Sequence, residues 1–157
     1  MDRDAVYGRV VWILNNHELE ESLLRDQLER ERLALNDDLE RIYGIVGIKA
    51  IDYSADRVQA SVKDESRVAT VIAMADERRA EYEERAGDIR LELEVIASIY
   101  KLVSYLEGMD RAVLLALYYP KRTYGAAAKM LGYSVQSLTR YRSRAIERLV
   151  DSIMAES

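Results

Sequence analysis

Only one proline, Pro120, interrupts this chain of 157 residues, and only seven glycines accompany it. Proline costs about 3 kcal/mol and glycine about 1 kcal/mol relative to alanine inside a helix, so there are few places where a helix is forced to stop. Apolar residues recur at helical spacing through most of the length. The expected fold class is therefore all-α: two long amphipathic helices, arranged as a helical hairpin or coiled coil, followed by a small C-terminal helix-turn-helix domain. With 49% apolar residues the chain can bury one moderate core, or one small domain beside an extended helical segment.

The first long helix is expected from Asp4 to about Leu39, carried by Val6, Val10, Ile13, Leu14, Leu24, Leu28, Leu35 and Leu39. His17, the single histidine, falls on that same general stripe and reads as a packed or half-exposed side chain rather than a ligand. Gly44 and Gly47 weaken the helix just where Ile42, Ile45, Val46, Ile48 and Ile51 demand burial. Tyr43 to Tyr53 is accordingly expected as an irregular connector, with a short strand or an apolar docking segment as the alternative. Ser54 can cap a short helix over Ala55 to Val62. A second long helix then carries a seam at alternating three and four spacing: Ile72, Ala75, Arg79, Tyr82, Ala86, Ile89, Leu93, Ile96, Tyr100 and Val103. Its apolar end is Leu93 to Val103, and Gly87 is a candidate bend. The spacing serves equally for a hairpin and for pairing between two chains, so a homodimer through the long helices is one expectation.

The pattern changes at Met109, which divides the chain into a helical oligomerisation or partner-binding region, 1–108, and a C-terminal domain, 109–157. Asp110 can cap a helix to Leu117 that Pro120 ends, Thr123 a helix over Tyr124 to Leu131, and Ser134 a last helix from Val135 to about Met154. Ala128 and Gly132 have the spacing of a helix-turn-helix, a small residue at the helix crossing and a glycine at the corner. Leu131, Leu138 and Tyr141 complete its expected core. Leu138, Tyr141, Ala145 and Leu149 form the buried arc of the last helix, with Val135, Ile146 and Ile153 at its edge.

Charge is unevenly spread. From Met109 onward there are eight basic residues and four acids, a net +4, which leaves 15 basic and 24 acidic residues, a net −9, for 1–108. A basic end on an acidic body suggests a polyanion partner for that end alone. The outer face of the last helix carries Gln136, Thr139, Arg140, Ser143 and Arg144, with Ser137 beside them. Glutamine can pair with adenine and arginine with guanine, so Gln136, Ser137, Thr139 and Arg140 are the candidate base-reading residues for double-stranded DNA. Lys121, Arg122, Lys129, Ser143, Arg144 and Arg148 are the candidate phosphate contacts. Arg142 lies 40° from Leu138 on the helix, inside the apolar arc. It is expected to snorkel or to pair with an acid such as Asp110, and to matter more for stability than for DNA selectivity.

Other classes find little to stand on. No cysteine and one histidine leave nothing from which to build a zinc site. The neighbouring carboxylates Glu20 and Glu21, Asp37 and Asp38, and Glu83 and Glu84 do not face one another on a helix. With no phosphate loop and no nucleophile beside a base, an enzyme is not expected, nor is a metal or cofactor. The start of the sequence lacks the pattern of a signal peptide and no apolar run reaches the roughly 20 residues of a membrane span, so a soluble cytoplasmic protein is expected.

The run LLALYYPKRTYGAAAKMLGYSVQSLTRYRSRAIERL resembles the C-terminal helix-turn-helix of phage transcriptional activators of the RinA and ArpU kind, which itself resembles region four of bacterial sigma factors. YSADRVQASVKD resembles the central segment of small phage proteins of that group. The resemblance covers most of residues 50–154 and is strongest from Val113 to Leu149. It implies promoter binding at late phage genes, with host RNA polymerase as a possible partner. It also implies Ser134 as the cap, Leu138 and Tyr141 as a buried pair, Ala145 and Leu149 as distal core, and Gln136, Ser137, Thr139 and Arg140 at the bases. Ala127 departs from the pattern, which usually has a larger aliphatic residue there; the core at that point is expected to be either thinner or filled by Tyr118 or Tyr124. The competing expectation is a small terminase-like packaging or structural protein, in which a helix-turn-helix joins an oligomerising coiled coil.

Overall fold

The computed structural model describes residues 1–47 and 57–156, with side chains for 1–45 and 65–156. It is all-helical: α1 (Arg3–Gly47), α2 (Arg57–Tyr105), α3 (Gly108–Tyr118), α4 (Tyr124–Leu131) and α5 (Val135–Glu156), with no strand among the described residues. None of these helices is long and apolar enough to cross a membrane.

Both long helices outrun their expected limits. α1 continues past Leu39 to Gly47, so Tyr43 to Gly47 are helical rather than part of a connector; the rest of that segment, 48–53, and Ser54 lie outside the described residues. From Arg57 the expected short helix and the second long helix are one, unbroken at Gly87. A glycine costs only about 1 kcal/mol within a helix, which the turns on either side readily outweigh.

The chain divides into two compact units, Met1–Leu23 with Glu92–Ser157, and Leu24–Leu91. In Leu24–Leu91, Leu24 is buried and Leu28, Glu31, Leu35, Asp38 and Ile42 are half-buried on α1, opposite Val71, Ala75, Tyr82, Ala86 and Ile89 on α2. Arg78 donates to Asp38 Oδ2 at 2.7 Å and Arg85 approaches Glu31 at 3.5 Å. Residue numbers fall on one helix as they rise on the other, so this part of the chain is an antiparallel hairpin closed within one molecule. Its seam is shifted from the expected one: Val71 is buried while Ile72 is 52% exposed, and Arg78 rather than Arg79 turns inward. Arg79 instead donates to the Tyr43 hydroxyl at 2.6 Å.

The other unit assembles around α3, which packs on α4 and α5. Val113, Leu114 and Leu117 of α3 and Leu138, Ala145, Ile146, Leu149 and Val150 of α5 are almost wholly buried. So are Val10, Ile13 and Leu14 of α1 and Val103 of α2; Ile99, not Tyr100, supplies the buried position one turn earlier. The boundary expected between 108 and 109 thus falls inside this unit. His17 shows how α1 joins it: its ring stacks on Tyr119 at 4.3 Å and Nε2 lies 2.5 Å from the carbonyl oxygen of Tyr118. A carbonyl can only accept, so Nε2 carries the proton in this contact. His17 is therefore buried, the packed rather than the half-exposed of the two arrangements expected for it.

Candidate functional site

Two caps set the direction of α4 and α5. Thr123 Oγ1 accepts from the N–H of Ala126 at 3.1 Å and Ser134 Oγ accepts from the N–H of Ser137 at 3.1 Å, so each helix begins where its hydroxyl cap predicts. Between them Gly132 adopts φ 75°, the left-handed conformation that ends α4, and the N–H of Tyr133 closes the corner on Ala128 O at 2.9 Å. A side chain at Gly132 would have open space but a strained backbone.

Beneath this corner Ala127, Ala128 and Leu138 are buried, while Leu131 and Tyr141 are only half-buried. Tyr141 is therefore not the interior side chain the spacing suggested. Its ring meets Tyr133 edge-on at 5.3 Å and carries the guanidinium groups of Arg140 and Arg144 at 5.6 and 5.5 Å. Each cation gains from the ring's negative face, and the flat ring limits where each arginine can point. Of the two tyrosines considered for the space beside Ala127, Tyr118 is buried and Tyr124 is 37% exposed.

Gln136, Thr139, Arg140, Ser143 and Arg144 come together on one exposed face of α5. The Thr139 hydroxyl donates to Val135 O and the Ser143 hydroxyl to Thr139 O, so both oxygens still have accepting capacity toward solvent. Ser137 is set apart: it is half-buried and its hydroxyl shares a hydrogen bond with Ser134 at 3.0 Å. Further along the same face stand Glu147 and Asp151, each bridged at 2.6 Å by Arg3 from the first turn of α1. Those hydrogen bonds raise the Arg3 pKa above its ordinary value and neutralise acids that would otherwise repel a polyanion.

The basic residues grouped as phosphate contacts divide by what already holds them. Lys129 is exposed on α4. Lys121 reaches back to Asn15 O at 3.3 Å, while its own N–H donates to Glu18 at 3.2 Å. Arg122 is half-buried and donates to Ala116 O at 3.0 Å, closing the corner between α3 and α4. Arg144 and Arg148, half-exposed, both turn toward Asp110.

Asp110 and Arg142 depart from the sequence expectation together. Asp110 does not cap α3: Glu107 stands at the cap position without a side-chain hydrogen bond, and Asp110 is buried inside the first turn. Its partners are Arg148 and Arg144 rather than Arg142. Arg142 donates instead to the Tyr118 hydroxyl, with its guanidinium near the rings of Tyr118 and Tyr124. Burial raises the Tyr118 pKa, and the hydrogen bond from Arg142 offsets only part of that rise. Burial is the largest single influence on Arg142 and works against its charge, but the bond to Tyr118 and the nearby phenols of Tyr118, Tyr124 and Tyr7 together outweigh it and leave the pKa raised. The only sequence hint of the Asp110 cluster was the four-residue interval between Arg144 and Arg148. Nothing in the sequence pointed to Arg3 with Glu147, which lies 144 residues away.

No protein-family model matches the chain, and comparison with curated proteins and with solved structures gives no significant match.

Proposed function

We propose that the protein is a DNA-binding transcription regulator in which α4 and α5 act as a helix-turn-helix and α5 enters the major groove. The observation that carries this reading is the exposed face of α5, where Gln136, Thr139, Arg140, Ser143 and Arg144 stand together beyond a cap-and-glycine corner. Glutamine and arginine read base edges by paired hydrogen bonds, and the hydroxyls serve either bases or phosphate. Lys129, Arg144 and Arg148 are the phosphate contacts best placed by exposure. Lys121 and Arg122 serve first to hold the corner, and Ser137 serves first at the cap.

The sequence resemblance to phage activators adds the setting: promoters of late phage genes in the cytoplasm of a bacterial host, with RNA polymerase as a further partner. Pairing of two copies through the long helices would present two reading helices to a symmetric site.

Selection of bound sites from a random duplex pool, followed by titration of the double variant Gln136→Ala/Arg140→Ala, tests the assignment. The variant is expected to bind the selected site about 10- to 1000-fold more weakly, because one or two base pairs are no longer read, with its circular dichroism unchanged. A variant that binds the selected site as wild type does would refute the reading face.

A further inference from the structure

Asp110 is 4% exposed, and its two oxygens face arginines that are half in solvent. Arg148 donates to Oδ2, whereas Arg144 Nε stands 3.9 Å from Oδ1, which has no hydrogen-bond partner. A carboxylate this deep in the protein is costly unless cations stay beside it, so it restrains both arginines. Each guanidinium has five N–H groups in a rigid fork, and a carboxylate occupies one edge while the others remain free. Arg144 is held from a second side by the Tyr141 ring at 5.5 Å.

We propose that Asp110 is a positioning residue for DNA phosphate: it holds Arg148 and Arg144 by their inner edges so that their outer N–H groups are aimed at the backbone beside α5. This rests on the DNA-binding reading above. The buried acid lowers net charge by one, yet it fixes two side chains whose free rotation would otherwise be lost on binding. A surface made only of unrestrained arginines would carry more charge and lose more entropy when it docks.

The test is a salt titration of the full chain on a mixed-sequence DNA duplex, since binding to phosphate does not depend on sequence. Asp110→Asn is expected to weaken binding several-fold and to flatten the slope of log affinity against log salt by about one to two, one for each phosphate that is no longer neutralised. Adding Arg148→Gln to Asp110→Asn should then change little. A buried carboxylate that served stability alone would lower the melting temperature and leave that slope as it was. Arg148→Lys is the companion variant in case Asp110→Asn does not fold: lysine keeps the charge but cannot hold Asp110 with one edge and phosphate with another, so it should bind like Arg148→Ala. The inference is overturned if Asp110→Asn binds as wild type or more tightly, or if Arg148→Lys binds as wild type. If the wild-type chain shows no salt-dependent binding to duplex, it is the DNA-binding reading itself that fails.

Discussion

The two compact units are both helical, but they are closed in different ways. The largest fully buried side chains among the described residues, from Val10, Ile13 and Leu14 to Leu138, Ile146 and Leu149, all belong to Met1–Leu23 with Glu92–Ser157. In Leu24–Leu91 the positions of zero exposure are alanines, Ala75 and Ala86, and one inward position is the charged Arg78. Small side chains let two helices approach closely, and a charge at one position fixes which residues lie opposite, but both contribute less burial than leucine or isoleucine. Five helix segments packed together can enclose side chains from more sides than two antiparallel helices, which cover only the faces they turn toward each other. The stability of the first unit therefore comes mainly from apolar packing, and the register of the second from a few ion pairs.

The sharpest way to break this contrast is Leu14→Ala. If the first turns of α1 belong to the same core as α5, removing this fully buried side chain should cost about 2–5 kcal/mol in chemical denaturation, and the loss should appear in the unit that contains α3 to α5. A loss below about 1 kcal/mol would mean that α1 only rests on the surface of that unit. Arg142→Ala should have the next largest effect. It removes a hydrogen bond to the buried Tyr118 side chain and the packing against two rings, so a loss of about 1–2 kcal/mol is expected, with site preference on DNA kept. A variant that melted like wild type while losing site preference would place Arg142 among the reading residues instead.

Extremes of pH should separate the units by opposite signs. Burial raises the pKa of Tyr118 and, more strongly, of Tyr119, so these phenols hold their protons more tightly folded than unfolded. Their contribution is complete below the ordinary tyrosine value of 10.0 and is lost as pH rises beyond it. Thermal melts at rising alkaline pH should show the unit containing α3 weakening, and Tyr118→Phe with Tyr119→Phe should remove part of that trend. The smallest effect concerns Asp38, whose pKa is lowered chiefly by the hydrogen bond from Arg78. That contribution is present above the ordinary aspartate value of 3.8 and fades as pH falls below it. Asp38→Asn should make the hairpin slightly less stable at neutral pH and less sensitive to acid; an unchanged acid profile would show that the pair carries no stability.

Much of the fold was legible because it rests on local rules. Thr123, Ser134 and Gly132 act within three or four residues of themselves, so the limits of α4 and the start of α5 followed from residue type and spacing. The exposed face of α5 followed in the same way from the angular order of Gln136, Thr139, Arg140, Ser143 and Arg144. The inward turn of Val71, Arg78 and Ile99 did not, because a helix drifts about 20° per heptad against a strict seven-residue repeat, and only the opposing helix decides which neighbour is covered. Nor did the burial of Asp110, since an aspartate near a helix start serves equally well as a cap.

What the sequence determined by itself was the helical fold class, the corner between α4 and α5, and the set of polar side chains that α5 turns outward. Only the tertiary structure decided that the long helices close on each other within one chain, that the first turns of α1 share a core with α5, and that Arg3 and Asp110 each hold charged groups of α5. The reason is range. Caps, turns and helical faces are fixed by neighbours along the chain, whereas a buried charge is satisfied by whichever opposite charge folding brings to it, and nothing in local spacing names that partner.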